Sequence, residues 1–409
     1  MRERLRRPPP ARFVPVALAA GLVLLLAAAP GAQALEGPAL RAKLTREMRL
    51  AGPFAGAYVR DLDTGRGLFA DDEDVARVPA SVNKLYTTSA TLLRMGPDTR
   101  LVTTVAGAGA LTPDGTWGGD LYLQGAGDPT LDRTAIRRLA RSVRDETGVL
   151  RVTGSVLADE SLFDALRGSA RTGFAYDADI GGVLSAVAVG HGWSRDGSPA
   201  AEAARRLASA LRAEGVPVRG RSGRAVTPPT AVTVATSSSP TVTQLIRATN
   251  VPSDNFAAEM LIKGLGARFG AGGSTPAGAE VVRAELGTLG IHPRIVDGSG
   301  LSRQNRTTPR QVVRLIERMH RQPVARAFES SLAVAGRTGT ISRRMRGTAA
   351  QDRCRAKTGT LSDVSALAGL CLTASGREVA FAFLMNRAGL YTARRVQDRM
   401  TAAIARLGG

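Results

Sequence analysis

Apolar positions along this chain follow two different periods, and the switches between them outline its organisation. Leu40 to Leu50 alternates as a short amphipathic helix. Ala57–Leu62 and Gly67–Ala70 have strand length and β-rich composition, and the turn Asp63-Thr64-Gly65-Arg66 joins them as a hairpin. An acidic loop from Asp71 to Asp74 follows. A helix is expected from Ser81, with Leu85, Leu92 and Leu93 as its apolar contacts and Gly96-Pro97 as its stop.

Near Leu101 the texture changes. Short strands at Leu101–Val105, Asp120–Leu123 and Arg151–Leu157 alternate with glycine-rich loops and a helix from Asp132 to Glu146. Residues 165–198 are rich in Gly, Ser and Asp and carry little periodicity. A helix from Ala200 to Glu214 and a strand near Ala231–Ala235 close this region. Helical spacing returns over Thr241–Thr249, breaks at Pro252 and resumes over Phe256–Leu265. Further helices are expected at Ala277–Leu289 and Thr308–His320. Strands then surround Lys357 and cover Ala366–Leu372 and Val379–Leu384. A last helix carries Val396, Met400, Ala403, Ile404 and Leu407. The pattern predicts a mixed α+β fold, an antiparallel sheet flanked by helices. This core is built from residues 35–95 and 238–409, with 96–237 inserted as a β-rich module.

Residues 1–34 stand apart. Arg2, Arg4, Arg6, Arg7 and Arg12 precede an apolar run from Val16 to Ala29, and Ala32-Gln33-Ala34 makes a small-residue cleavage site. This is the arrangement of a signal peptide, and it implies export to the periplasm, the cell wall or the outside of the cell. The formal net charge is +20, from 55 basic and 35 acidic residues. Export, sparse aromatics and scattered arginines argue against nucleic acid as the partner. Two readings of the charge remain: attraction to an anionic wall or membrane surface, or a solvated basic surface that reflects composition. Cys354 and Cys371 fit neither metal-ligand nor redox-motif spacing. If their flanking segments form a hairpin centred between Ser362 and Asp363, they lie opposite each other, as a disulfide or as a buried pair of thiols.

Ser81 and Lys84, in Pro79-Ala80-Ser81-Val82-Asn83-Lys84-Leu85-Tyr86, are three apart and share one face of a helix. A serine hydroxyl needs a neighbouring base to become a nucleophile. A lysine serves if burial or a nearby cation drives it towards neutrality, whereas arginine stays protonated. Only four of the 55 basic residues are lysines, namely Lys43, Lys84, Lys263 and Lys357, so lysine at position 84 is informative. Taken alone, the stretch also fits a capped helix start with a solvated lysine. Two further short motifs follow: Ser253-Asp254-Asn255, and Lys357-Thr358-Gly359-Thr360 running into a strand pair. Each is weak alone. Ser81-Val82-Asn83 also matches the first, and Arg337-Thr338-Gly339-Thr340 nearly copies the second. His191, His292 and His320 show no metal-ligand spacing, and no phosphate-cradling glycine loop follows a strand, so neither metal nor cofactor is expected.

The three motifs in this order, S-x-x-K, S-x-N and K-T-G, resemble the signature of penicillin-binding proteins and serine β-lactamases. The interval from Ser81 to Ser253 is much longer than in compact β-lactamases. It resembles D-alanyl-D-alanine carboxypeptidases/endopeptidases of the penicillin-binding protein 4 type. The phrases Gly125-Ala126-Gly127-Asp128-Pro129-Thr130-Leu131, Asp297-Gly298-Ser299-Gly300-Leu301-Ser302-Arg303 and Arg355-Ala356-Lys357-Thr358-Gly359-Thr360-Leu361 carry the same likeness. It weakens at Arg337-Thr338, where the family tends to have an acidic residue before Gly-Thr, and over 165–198.

The resemblance implies a transpeptidase/β-lactamase-like core and peptidoglycan stem peptides as substrate, with β-lactam antibiotics acylating the nucleophile. Ser81 would attack the carbonyl and Lys84 take its proton. Ser253 would relay a proton, Asn255 hold a substrate amide, and Lys357 supply positive field that also pushes Lys84 towards neutrality. Lys357 with Thr358 would receive the terminal carboxylate, Gly359 and Thr360 would also bind substrate, and the Ser81 and Thr360 N–H groups would form the oxyanion hole. Arg303 and Asp128 are candidates for reading a charged side-chain end. Two alternatives are a β-lactamase with fast deacylation and a weakly catalytic wall-binding protein.

Overall fold

The structure, a computed structural model, describes residues 35–408 except Arg195; the expected signal peptide lies outside them. Among the described residues no helix is long and apolar enough to cross a membrane. In chain order, helix α1 (Gly37–Ala51) leads to strands β1 (Ala55–Asp61) and β2 (Gly67–Asp71), then to α2 (Lys84–Met95). Next come β3 (Arg100–Leu111), β4 (Thr116–Gln124), α3 (Arg133–Thr147), β5 (Arg151–Val152) and β6 (Val156–Asp159). They are followed by α4 (Pro199–Ala213), β7 (Ser222–Arg224) and β8 (Val232–Thr241). Helices α5 (Val242–Asn250), α6 (Asn255–Phe269), α7 (Thr275–Thr288), α8 (Pro309–His320) and α9 (Ala325–Ser330) form a largely helical stretch. The chain ends with β9 (Ala333–Val334), β10 (Cys354–Leu361), β11 (Val364–Leu372), β12 (Glu378–Asn386) and α10 (Leu390–Ala405).

One sheet, ordered β2-β1-β12-β11-β10-β9, is antiparallel throughout and joins both ends of the chain. Side chains on a strand alternate between faces, and here both faces are covered. On β12, Ala380, Ala382 and Leu384 meet a core made with α2, α5, α6, α7 and α8. Phe381, Phe383 and Met385 meet the opposite core, made with α1 and α10. That two-sided burial explains why β11 and β12 read as continuous apolar runs rather than as alternating ones.

The second sheet, β7-β6-β4-β3-β8 with β5 beside β4, is mixed in direction. Leu139 and Val143 of α3 and Leu207 and Leu211 of α4 pack onto it. The single strand expected over Arg151–Leu157 is interrupted at Thr153–Ser155, where Asp120 Oδ1 accepts the Ser155 N–H at 2.6 Å. The stretch 165–198, unpatterned in sequence, is packed in part onto α6, together with Phe163 just before it. Phe163, Ile180, Leu184 and Ala186 share a core with Phe256, Met260 and Leu301.

The β10–β11 hairpin pairs Leu361 with Val364 at its turn and Cys354 with Cys371 at its far end. The two cysteines form a disulfide. Of the two alternatives left open by the sequence, the bridged one is present.

Candidate active site

The helix expected at Ser81 begins with a tighter turn. Residues Ala80–Asn83 form a 3-10 turn, and the α-helix starts at Lys84. Ala80, immediately before Ser81, has a positive φ of 47°, which an L-residue adopts at a cost of about 1 kcal/mol or more. The surroundings hold it there. A Cβ on Gly359 would meet Pro79 O at 2.4 Å, and one on Gly300 would meet Ala80 O at 2.0 Å. Two glycines thus let β10 and the 297–303 loop press directly on the backbone that carries Ser81.

Lys84 is fully buried. Its Nζ lies 3.0 Å from Ser81 Oγ, 2.6 Å from Asn255 Oδ1 and 2.7 Å from Ser299 O. Two of these three neighbours can only accept hydrogen bonds, and the third is a hydroxyl that can donate. An ammonium can donate to all three, and a neutral amine can keep two N–H groups on Asn255 and Ser299 and turn its lone pair to the Ser81 hydroxyl. Burial pushes the Lys84 pKa down to about 8, while Asp297, Glu259 and Asp254 pull it back up. The opposing acids keep the group within reach of both protonation states near neutral pH.

Those acids sit beneath the site, turned away from it. Glu259 Oε1 accepts the Gly298 and Ser299 N–H groups at 3.1 and 2.8 Å. Asp297 accepts from Gly300 N, Ser302 N and Asn305 Nδ2. Burial raises the pKa of both carboxyl groups. The loop they hold presents Ser299 O to Lys84. Asn83, the decoy third residue of Ser81-Val82-Asn83, ties the same loop down by donating to Asp297 O at 2.8 Å.

Ser253 and Asn255 reach the site by different routes. The N-cap of α6 is Asp254, whose Oδ1 accepts Ala257 N at 2.9 Å, so capping is not the task of Ser253. Ser253 has a positive φ of 67°, and its Oγ accepts from Lys357 Nζ at 2.7 Å. Asn255 donates through Nδ2 to Asp179 O at 2.7 Å while accepting from Lys84, which fixes its amide orientation.

Lys357 is also fully buried, and its Nζ donates to Thr358 O at 2.9 Å. Its pKa is lowered well below the ordinary lysine value, first by burial and second by the charge of Lys84. This reorders the expected electrostatics. Burial, rather than the charge of Lys357, is the main force on Lys84, and no acid among the described residues raises the pKa of Lys357 as Asp297, Glu259 and Asp254 raise that of Lys84.

Thr358 Oγ1 donates to Thr340 Oγ1 at 2.7 Å. The near-copy Arg337-Thr338-Gly339-Thr340 is therefore part of the site's wall. Arg337, its first residue, pairs instead with Asp352 at 2.6 Å.

A cavity of about 620 Å³ is lined by Ser81, Ser253, Asn255, Thr340, Thr358 and Thr360 and continues towards α10. A second, of about 590 Å³, contains Asn255, Thr360, Arg303, Ser362, Arg171 and Asp179. The cavities share Asn255 and Thr360. Arg171 and Asp179 come from the segment between β6 and α4, which thus forms one wall. Arg303 donates to Ser362 Oγ at 2.8 Å and pairs with Asp363. Asp128 lies elsewhere and lines neither cavity. It is buried, and its Oδ1 accepts Thr130 N and Thr130 Oγ1 at 2.8 and 2.7 Å, the turn that an Asp before proline favours. Ser299, Glu259, Asp297, Thr340 and Asp179 were missed as site residues. The phrase around Ser299 and the repeated Arg-Thr-Gly-Thr were the signals available.

Comparison with known proteins gives the family. A family model, D-Ala-D-Ala carboxypeptidase 3 (S13) family, matches residues 39–175 and 178–407. The D-alanyl-D-alanine carboxypeptidase of an Actinomadura species is 30% identical, over 88% of this chain and 82% of that protein. Carboxypeptidase DacB of Mycolicibacterium smegmatis is 33% identical over the same shares. Penicillin binding protein 4 from Haemophilus influenzae shares the fold with a TM-score of 0.76 at 19% identity, covering 87% of this chain and 97% of that one. With matches of this extent, the chain belongs to the D-Ala-D-Ala carboxypeptidase 3 (S13) family and is a serine-type D-Ala-D-Ala carboxypeptidase.

Proposed function

We propose that the protein is exported and cleaves peptidoglycan stem peptides through an acyl-enzyme at Ser81, both at the terminal D-Ala-D-Ala bond and at D-centre cross-links, and that penicillins acylate the same serine. The observation that carries this reading is the buried Lys84 Nζ, 3.0 Å from Ser81 Oγ and held by Asn255 and Ser299, with its pKa pushed down to about 8 by burial. Lys84 accepts the Ser81 proton as Oγ adds to the carbonyl. N–H groups of Ser81 and Thr360, both on the cavity wall, face the developing oxyanion. Ser253, bonded to Lys357, is placed to pass a proton to the departing amine. The carboxylate of the departing residue would meet Lys357 and Thr358 and draw a proton onto Lys357, whose pKa is held low by burial first and by the charge of Lys84 second. Water then releases the acyl group.

On the acyl side, Arg303 lines the neighbouring cavity and suits a carboxylate on the diamino acid of the stem peptide. Export rests on the sequence of residues 1–34. A β-lactamase would need a water-activating group facing the acyl bond. The carboxylates nearest Lys84, Glu259 and Asp297, are bonded to backbone N–H groups instead. Incubation with labelled penicillin followed by peptide mapping tests the proposal. Label held on Ser81 for minutes, and no D-alanine release by Ser81→Ala, are the expected results. Rapid release of hydrolysed antibiotic would favour a β-lactamase, and undiminished activity of Ser81→Ala would sink the proposal.

A further inference from the structure

The cavity at Ser81 holds more positive charge than the release of one D-alanine uses. Beyond Thr340 and Thr358 it is lined by Arg344, Tyr391, Arg394, Arg395 and Asp398. Arg344 is already engaged, bonding Asp398 Oδ1 at 2.9 Å and Gln397 Oε1 at 3.0 Å. The guanidinium of Arg394 has no carboxylate partner among the described residues; its backbone oxygen accepts from Arg344. Arg395 donates to the Tyr391 hydroxyl at 3.1 Å and lies 5.5 Å from its ring centre, likewise without a carboxylate. Three guanidinium groups thus surround one carboxylate, and Arg344 takes that one. Unpaired arginines occur elsewhere on this basic surface. These two differ because they share a cavity with Ser81.

Direction decides what they face. If Lys357 and Thr358 receive the carboxylate of the departing residue, the departing group points into the cavity that contains Thr358, and the acyl group into the one that contains Arg303. A single D-alanine ends at its carboxylate and goes no further. The departing half of a cross-link continues through its diamino acid into a second stem peptide, which carries carboxylates of its own. Exposed guanidinium groups in a cleft concentrate such an anion and bind its carboxylates through paired N–H donors.

We infer that Arg394 and Arg395, with Tyr391 as a shelf beneath the Arg395 guanidinium, form an anion-binding subsite for the departing peptide of a cross-link and favour endopeptidase cleavage. This rests on the acyl-enzyme reading above. The bond broken is the amide between the acyl D-Ala and the departing amine. The amine leaves with the proton relayed from Ser81, and water completes the hydrolysis.

The test compares wild type with the double variant Arg394→Glu/Arg395→Glu on two substrates, a monomeric stem pentapeptide and a purified cross-linked peptide dimer. Labelled penicillin reports the integrity of Ser81. The expected result is a loss of about tenfold or more in kcat/KM on the dimer, mostly in KM, with D-alanine release and penicillin labelling within about threefold. Added salt should weaken dimer cleavage by wild type far more than by the variant, and Arg394→Lys/Arg395→Lys should retain most of it. Equal losses on both substrates, or an unchanged dimer rate, would overturn the subsite. So would a wild type that trims the pentapeptide and leaves the dimer intact. A wild type that neither trims the pentapeptide nor takes the label would defeat the acyl-enzyme reading itself.

Discussion

Lys357 Nζ donates to Ser253 Oγ at 2.7 Å, although the two residues are 104 positions apart. Lys84 Nζ lies 3.0 Å from Ser81 Oγ, three positions away, a contact that Lys84 makes as donor when protonated and can make as acceptor when neutral. The site therefore contains two buried lysine–serine pairs, and their surroundings differ. Acids beneath Lys84 keep its protonated form accessible, and none does so for Lys357. That asymmetry suits a base beside the nucleophile and a carboxylate receptor beside the relay.

Replacing Lys84 with arginine keeps a cation and removes the base. Arginine stays protonated, so it cannot take the Ser81 proton. Acylation by labelled penicillin should slow by at least about 100-fold, the lower end for general-base contributions. Full labelling of the Lys84→Arg variant would rule out the role given to Lys84.

Acylation should rise with pH as Lys84 loses its proton, with a midpoint near the depressed value of about 8. The negative charges of Asp297, Glu259 and Asp254 raise that value. Glu259→Gln keeps an oxygen for the Gly298 and Ser299 N–H groups and removes one charge. The midpoint should therefore move to lower pH. A rate profile displaced upward, or not at all, would contradict this electrostatic account.

Lys357→Met should abolish carboxypeptidase activity and raise stability. A lysine with a depressed folded pKa binds more protons when unfolded, so its penalty is greatest at low pH and fades as pH rises towards the ordinary lysine value. Each unit of depression is worth about 1.4 kcal/mol. Thermal melting at pH 6 and pH 9 checks the sign. The gain in Tm over wild type should be larger at pH 6.

Thr340→Val removes the partner of Thr358 Oγ1 with little change in volume. A net hydrogen bond is worth about 0.5–1.5 kcal/mol. KM for a D-Ala-terminated peptide should rise by roughly 2- to 10-fold on that basis, with kcat nearly unchanged. A fall in kcat at constant KM would place Thr340 in the chemistry and not in holding the carboxylate.

Much of the fold is legible because local rules agree with the tertiary result. The β1–β2 hairpin follows from its turn residues, and α10 from its apolar spacing. The Cys354–Cys371 register follows from the centre of the β10–β11 hairpin, since antiparallel pairing preserves distance from the turn. Segments that are ordered by other parts of the molecule are harder to read. Residues 165–198 carry few periodic signals because their order comes in part from packing onto α6 and from single contacts such as Asp179 O with Asn255. Position 128 misled for the opposite reason. Its local turn was visible, but the distance from that turn to the site was not.

By itself, the sequence determined the reactive groups: a serine with a lysine three residues on, a second serine–asparagine pair, and a lysine–threonine–glycine strand, each recognisable because side-chain chemistry is local. Only the tertiary structure decided how those groups behave. Burial sets the pKa direction of Lys84 and Lys357, Glu259 and Asp297 act from beneath the site, and Thr340 and the segment that carries Arg171 and Asp179 complete its walls. Solvation and Coulomb interaction depend on distances through space, and contacts between residues far apart in the chain are set by packing rather than by spacing along it.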